Sequence, residues 1–315
     1  MRHLVPPLAV LLCAAVAAPA PASERTLSEQ RGEHVLAHGE FVSWVSQEPG
    51  QQRYLWRGGS VFRDVRLQFT TTLGSDRSRR PVAMSTRCSD DSGNGCVVRE
   101  QRLPRGPSRV LYRGRDGEEA PVGASYRGTF GLLAGGENGG RPRGLYVRRA
   151  GATRLKRLVR DVGHVWNLAV GARWAAYRTL GGAEEQIRVV DTGGGRSRVF
   201  AVNDTFDDDC RCTTTSSRLD GPAIAGRYVY WLETTYPQHM AGDPAITRMR
   251  IGRARLDTRR DPGIEYFEPE RRATSFALRG SRIVYTAGYY TDPPGIYEET
   301  DPEWTPSGRR IPART

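Results

Sequence analysis

The sequence predicts an all-β fold, a six-bladed β-propeller built from four-stranded antiparallel blades. Short runs of alternating apolar and polar residues recur along the chain, and outside the N-terminus no 12-residue stretch has apolar residues at helical spacing. A strand, glycine, strand pattern repeats, and from Gly128 onward its glycines are 43, 55 and 54 residues apart. A fixed period of this length is typical of propeller blades.

Composition agrees with many short strands in one folded domain. The 315-residue chain is 38% hydrophobic and 26% charged, and it contains 36 Gly and 20 Pro. These values exclude a disordered tail, a collagen-like chain and a multispan membrane protein. All-β domains often reach this length as single units.

The first 22 residues have the layout of a secretory signal peptide. A short positive start, Met1-Arg2-His3, precedes an apolar run from Leu4 to Ala18, and Ala18-Pro19-Ala20 and Ala20-Pro21-Ala22 offer small-x-small cleavage sites. We therefore predict a signal peptide at 1–22, a single propeller domain at 23–315, secretion to an extracytoplasmic location, and no transmembrane segment after cleavage.

Each repeat begins with two strands joined at a glycine. The anchors are Gly39, Gly128, Gly171, Gly226 and Gly280. Glycine supplies the backbone freedom that a tight turn needs. Trp44, Trp231 and Tyr285 occupy the same position of the following strand, which predicts that these rings pack between blades.

A third and usually a fourth strand follow each hairpin. The 89-residue gap between Gly39 and Gly128 holds one more unit, built from Pro81 to Cys88, Cys96 to Gln101 and Arg109 to Tyr112. In the unit after Gly226 we expect a strand at 246–249, a turn, and a strand at 255–256. Six units result, over about residues 35–300. An irregular sandwich, which needs no fixed period, is the alternative.

This order of strand, glycine, aromatic-ending strand and basic outer strand resembles the TolB-type six-bladed β-propeller. It also looks like secreted propeller-like proteins of G+C-rich bacteria. The usual Ser-Pro-Asp-Gly turn of that repeat is replaced here, for example by Tyr126-Arg127-Gly128, so only the glycine is kept. The resemblance implies a binding or scaffold role.

Four cysteines remain once the predicted signal peptide is removed: Cys88, Cys96, Cys210 and Cys212. We predict that Cys88 and Cys96 form a disulfide across the mouth of a hairpin. Cys210 and Cys212 are predicted to pair with each other, although a C-x-C ring is strained and free thiols are the alternative. Neither spacing is that of a zinc site.

Loops at one end of the blades are the predicted ligand face. Connections between second and third strands emerge at the same end as connections between blades, which places the segments 88–96, 203–217 and 234–245 together. The candidate ligand-face residues are the carboxylates Asp90, Asp91, Asp204, Asp207, Asp208 and Asp209. Solvated acidic loops are the alternative, and a calcium loop is disfavoured because Gln101 stands at its twelfth position.

No catalytic signature is found in the sequence. Gly123 to Gly128 has one residue too many for a nucleophile elbow, and the Gly193-Gly194-Gly195 run lacks the lysine of a phosphate loop. We predict no cofactor, no metal and no catalytic residue.

The formal net charge is +12, and Lys156 is the one lysine among 47 basic residues. An arginine excess spread along the chain is typical of codon bias and disfavours nucleic acid, whereas long-range attraction to an anionic cell-wall polymer is compatible with it. The sequence predicts a secreted, non-enzymatic binding or scaffold protein whose partner is an unknown protein or such a polymer. The alternative is a carbohydrate- or lactone-active enzyme that uses carboxylates near the central channel.

Overall fold

The structure is a computed structural model, and the residues that it describes form six four-stranded antiparallel sheets arranged as a β-propeller. The described ranges are 23–46, 52–63, 70–90, 94–115, 117–136, 141–181, 184–204, 215–237, 248–258, 263–269, 271–280, 282–287 and 293–300. Among these residues, none belongs to a helix that could cross a membrane. The predicted fold class is confirmed.

Blades 1 to 5 each use four consecutive strands, with the first strand innermost. Blade 1 is β2 (Gly32–His38), β3 (Phe41–Ser46), β4 (Arg53–Arg57) and β5 (Ser60–Arg63); blade 2 is β6 (Thr70–Ser75), β7 (Pro81–Arg87), β8 (Val97–Arg102) and β9 (Ser108–Arg113). Blade 3 is β10 (Val122–Tyr126), β11 (Thr129–Gly136), β12 (Arg141–Arg148) and β13 (Lys156–Val159). Blade 4 is β14 (His164–Val170), β15 (Trp174–Gly181), β16 (Glu184–Asp191) and β17 (Arg198–Asp204); blade 5 is β18 (Thr215–Ala225), β19 (Tyr228–Pro237), β20 (Arg248–Arg255) and β21 (Glu265–Phe267).

Blade 6 closes the ring with a strand from the other end of the chain. Its inner strands are β22 (Ser275–Arg279), β23 (Arg282–Ala287) and β24 (Gly295–Thr300), and its outer strand is β1 (Ser23–Ser28). Glu24 of β1 accepts hydrogen bonds from Arg271 Nε at 2.8 Å and from the Tyr285 hydroxyl at 2.7 Å. The propeller therefore begins at residue 23, outside the 35–300 range that the repeats predicted.

The turn glycines confirm the repeat but serve two purposes. Gly39, Gly128, Gly226 and Gly280 have positive φ angles, which glycine adopts without the steric cost of a side chain. Gly171 has no positive φ; a Cβ there would lie 2.8 Å from Ile224 Cγ2, so this glycine permits close packing of blades 4 and 5.

Apolar side chains between blades form the core. Trp44, Trp231 and Tyr285 are fully buried, as the repeat predicted. Trp231 packs with Leu219 and Ala254 of its own blade and with Ala176 of blade 4. Burying such rings removes about 150 to 250 Å² each from water, so contacts between neighbouring blades stabilise the ring.

Two predicted strand positions need correction. The unit after Gly226 has one continuous strand at Arg248–Arg255, and its outer strand lies further along the chain at Glu265–Phe267. Arginines separate the apolar residues of Arg248–Arg255, so the sequence suggested two short strands where the structure has one. Blade 2 also has an inner strand, Thr70–Ser75, whose threonines gave no clear apolar alternation.

Candidate functional site: the central channel and its basic mouth

The six inner strands surround a central channel. A cavity of about 430 Å³ in it is lined by residues of β2, β6, β10, β14, β18 and β22. Its walls carry apolar side chains, together with the polar side chains of His34, Thr70, Asn167, Asp220 and Ser275.

The two ends of the channel differ in the connections that surround them. At what we call the turn end, short turns join the first strand of each blade to the second, as at Gly39 and Gly128. At the opposite end, the loop end, second strands connect to third strands, and each blade connects to the next. Strand direction thus assigns every connection to one end.

Arginines surround the channel at the turn end. A cavity of about 1270 Å³ opens there, and its lining includes Arg25, Arg79, Arg127, Arg279 and Arg282, which we call the basic mouth. These residues come from blades 2, 3 and 6, so the fold brings together arginines that are far apart in the sequence. Guanidinium groups suit carboxylate and phosphate because their planar fork can donate two hydrogen bonds at once.

Three arginines of the basic mouth carry uncompensated charge. Arg279 and Arg282 both form an ion pair with Glu298, whereas Arg25, Arg79 and Arg127 have no ion pair with any residue in the described part of the chain. Arg25 lies over the Trp56 ring at 5.9 Å, and Arg127 lies over the Tyr126 ring at 5.2 Å.

Carboxylates in or beside the turns at this end do not cancel that charge, because arginines outside the basic mouth already neutralise them. The pairs are Glu40 with Arg57 at 2.9 Å, Asp76 with Arg102 at 3.0 Å, Asp191 with Arg173 at 2.7 Å, and Asp257 with Arg255 at 3.1 Å. The turn end therefore presents a surplus of positive charge, which attracts anions over the range of the Debye length.

Backbone hydrogen bonds hold two of these arginines in place. Asp76 Oδ1 accepts hydrogen bonds from Ser78 N at 2.8 Å and Arg80 N at 2.9 Å, which fixes the turn that contains Arg79. Arg127 N donates to Ser75 Oγ at 3.0 Å and so ties the turn of blade 3 to blade 2.

Both arginines adopt left-handed backbone conformations, with φ of 62° at Arg79 and 49° at Arg127. Non-glycine residues rarely adopt this conformation without local support, and they are enriched at binding sites.

His38 lies below the mouth. Its ring meets that of Tyr126 edge-on, with centroids 6.3 Å apart. Burial, and secondarily the positive charge of Arg127, lower the pKa of His38 below its ordinary value. Neutral imidazole is therefore favoured beside the arginines.

At the loop end, the Cys88–Cys96 disulfide is present, which confirms that pairing. Asp90 lies in the loop that the disulfide closes and accepts hydrogen bonds from Asn94 N at 3.0 Å and Asn94 Nδ2 at 3.1 Å, so its carboxylate ties the two sides of this loop together.

The described part of the structure does not show the other predicted ligand-face residues close to one another. Asp204 ends β17, and nothing further is described of its side chain. Asp91, Asp207, Asp208, Asp209, Cys210 and Cys212 lie outside the described residues. Among the residues that are described, no three His, Cys, Asp or Glu side chains are grouped to hold a metal ion.

The channel supplies one carboxylate, Asp220, among its described lining residues. Asp220 accepts a hydrogen bond from Asn167 Nδ2 at 3.5 Å and lies 3.6 Å from Arg178 Nη1. The enzyme alternative requires two carboxylates facing the channel, and within the described lining Asp220 has no such companion.

Sequence reasoning missed the basic mouth, although a signal for it was present. Arginine is adjacent to, or two residues from, the turn glycine in Arg127-Gly128, Gly171-Ala172-Arg173, Gly226-Arg227 and Arg279-Gly280. Because these turns share one end of the ring, arginines spread along the sequence become neighbours in space.

No family model and no curated protein matches the chain. Solved structures with a similar fold include TolB from Acinetobacter baumannii (TM-score 0.48, 12% identity, 88% of this chain and 64% of that chain covered) and a nidogen/laminin complex (0.47, 12%, 84% and 86%). A third is the β-propeller domain of the trilobed protease from Pyrococcus furiosus (0.45, 8%, 91% and 98%). The chain thus spans less than two thirds of the TolB chain, and the likeness concerns the propeller fold.

Proposed function

We propose that this protein is a secreted, non-enzymatic β-propeller that binds an anionic cell-wall polymer through the basic mouth. The observation that carries the proposal is the convergence of Arg25, Arg79 and Arg127, each without an ion-pair partner among the described residues, on one open cavity. A cleft lined by charges of one sign focuses their field and raises the local concentration of ions of the opposite sign.

A polymer suits this surface better than one small anion. The mouth is broad and open, and its charges come from three blades rather than from one compact cluster. Repeated phosphate or carboxylate groups can contact several arginines at once, which raises affinity through multivalency without demanding a close fit.

Nucleic acid is a poorer candidate because it would need exposed aromatic rings for base stacking. Trp56, which lines the mouth, is only 4% exposed, and Arg127 lies over the Tyr126 ring. Neither ring offers an open face to a base.

Secretion is part of the proposal. The signal-peptide pattern at 1–22 ends just before the first described strand, which begins at Ser23, and the Cys88–Cys96 disulfide suits an oxidising compartment.

Binding of the exported protein to immobilised polyglycerol phosphate, polygalacturonate and neutral dextran tests the proposal. We expect binding to both polyanions, little binding to dextran, and release as salt rises. The variant Arg79→Asn/Arg127→Asn should bind at least about tenfold more weakly, because each lost guanidinium removes charge-assisted hydrogen bonds. Asparagine is chosen because it tolerates the left-handed conformation of both positions.

The matched control is Arg113→Asn/Arg115→Asn, which removes two exposed arginines from the loop end. Equal loss in both double variants would show that net charge, and not the basic mouth, governs binding. Hydrolysis of either polymer would contradict the non-enzymatic assignment, and an exported protein that still begins at Met1 would contradict signal cleavage.

A further inference from the structure

Buried arginines elsewhere in the described part of the chain have a carboxylate partner, and Arg53 does not. The four that are less than one tenth exposed are Arg53, Arg143, Arg178 and Arg253. Arg143 pairs with Glu119, Arg178 with Glu185, and Arg253 with Glu265. No described carboxylate forms an ion pair with Arg53.

The surroundings of Arg53 compensate its charge only weakly. Its Nη1 donates a long hydrogen bond to Ser43 Oγ at 3.4 Å, and its Nε has no hydrogen-bond partner. Burial lowers the pKa of Arg53 to about 10, so the guanidinium still carries its charge at neutral pH. An uncompensated buried charge is costly, and a buried arginine is normally retained with an anion beside it.

Arg53 lines the channel cavity near its loop end. It is the first residue of β4, and Thr70, the first residue of β6, lines the same cavity from the neighbouring blade. The Thr70 hydroxyl is buried and has no hydrogen-bond partner. A guanidinium without a described carboxylate partner and an unpartnered hydroxyl, on adjacent blades at one end of the cavity, form a pair of donors for an anion.

The cavity limits what that anion can be. Its volume of about 430 Å³ suits a small molecule, and Val35, Leu36 and Leu73 supply apolar wall. Arg53 is the one arginine or lysine in the described lining of the cavity, so a second negative charge on the ligand would find no second cation there. These features favour a single carboxylate attached to a short apolar body.

We propose that Arg53 and Thr70 bind the carboxylate of a small monocarboxylic acid within the channel. The site is at the opposite end from the basic mouth and does not depend on it. Arg53 supplies the charge and the planar donor edge, Thr70 donates its hydroxyl proton to a carboxylate oxygen, and the apolar wall contacts the aliphatic part of the ligand.

Butyrate and butyramide test this site in the wild-type protein, since they share shape and differ in charge. Calorimetric titration should show that butyrate binds at least about tenfold more tightly than butyramide, because hydrogen bonds to an ionised acceptor are the stronger kind. In ¹⁵N-arginine NMR spectra, butyrate should shift the Arg53 Nε signal while butyramide leaves it in place. Equal affinity for the two compounds, or an unmoved Arg53 signal, would overturn the proposal.

Variants locate the site. Arg53→Met should abolish butyrate binding, and Arg53→Lys, which keeps the charge but loses the planar fork, should weaken it several-fold. Arg143→Met is the matched control, because it removes a buried arginine that already has a carboxylate partner; it should retain butyrate binding.

The mouth variant Arg79→Asn/Arg127→Asn should also retain butyrate binding, which separates this site from the polymer site. If Arg53→Met does not fold, the comparison of butyrate with butyramide in the wild-type protein still decides the question.

Discussion

The same six blades contribute connections to both ends of the channel, yet the turn end and the loop end differ in the length of those connections and in their charge. Short turns at the turn end place unpaired arginines such as Arg79 and Arg127 around the basic mouth. The loop end mixes both signs, with Asp90, Glu118 and Asp161 beside Arg113 and Arg160, and it carries the disulfide. Charge, and not loop length, marks the surface best suited to an anion.

Removing the Cys88–Cys96 disulfide should lower the stability of the fold without weakening polyanion binding. Cys88→Ser/Cys96→Ser should lower the free energy of unfolding by about 2.5 kcal/mol, because the unfolded chain regains the entropy of an eight-residue loop. Polyanion binding should stay within about twofold of wild type, since the disulfide lies at the loop end. Denaturant unfolding and the polymer assay measure the two effects. A parallel loss of binding would show that the loop end contributes to it.

Two aspartates allow a matched comparison between the ends. Asp76 at the turn end is buried and accepts hydrogen bonds from Ser78 N, Arg80 N and Arg102 Nε. Asp76→Asn should lower the free energy of unfolding by about 1 to 2 kcal/mol, because charged acceptors form the stronger bonds. It should also weaken polyanion binding several-fold by loosening the turn that contains Arg79.

The counterpart at the loop end is Asp90→Asn, whose side chain accepts hydrogen bonds from Asn94 in an exposed loop. The change in unfolding free energy should stay below about 0.5 kcal/mol, as for most surface substitutions, and binding should not change. Thermal and denaturant unfolding of both variants give the comparison. Similar destabilisation by the two substitutions would contradict the distinction between a buried and an exposed turn.

The smallest expected effect is a pH dependence that involves His38. Because burial and Arg127 lower the pKa of His38 in the folded protein below the ordinary histidine value of 6.5, the folded protein binds fewer protons than the unfolded chain between those two pKa values. Stability contributed by neutral His38 is therefore present above pH 6.5 and is lost as the pH falls through the folded pKa. His38→Gln should flatten this part of the stability profile. An unchanged slope would show that other groups cause it.

Repeats that recur in the sequence could be predicted, and features that depend on the closed ring could not. Gly39, Gly128, Gly226 and Gly280 identified their hairpins because a turn that needs positive φ selects glycine. The uncompensated state of Arg53 depends on which carboxylates lie near it in space, which no local pattern encodes. The basic mouth likewise needs the knowledge that turns from separate blades share one end.

Ring closure also could not be predicted, because Ser23–Ser28 has no apolar repeat of its own. Its polar residues pair with β24 through backbone hydrogen bonds, and the contacts of Glu24 with Arg271 and Tyr285 add side-chain specificity. Single-strand pairing of this kind is visible only once the partner strand is known.

The pairing of β1 with β24 also means that the covalent order of the blades is, in part, arbitrary. Ser23 lies opposite Thr300, just as Arg57 lies opposite Ser60 across the hairpin of blade 1. A circular permutant could join Thr300 to Ser23 by a short turn and open the chain between β1 and β2. It would keep every described strand pair, and the pairing of β1 with β24 would become a local contact in the sequence. In the native order, β1 can pair with β24 only after both ends of the domain have been synthesised. The entropy lost in bringing these ends together therefore falls on the final step of assembly.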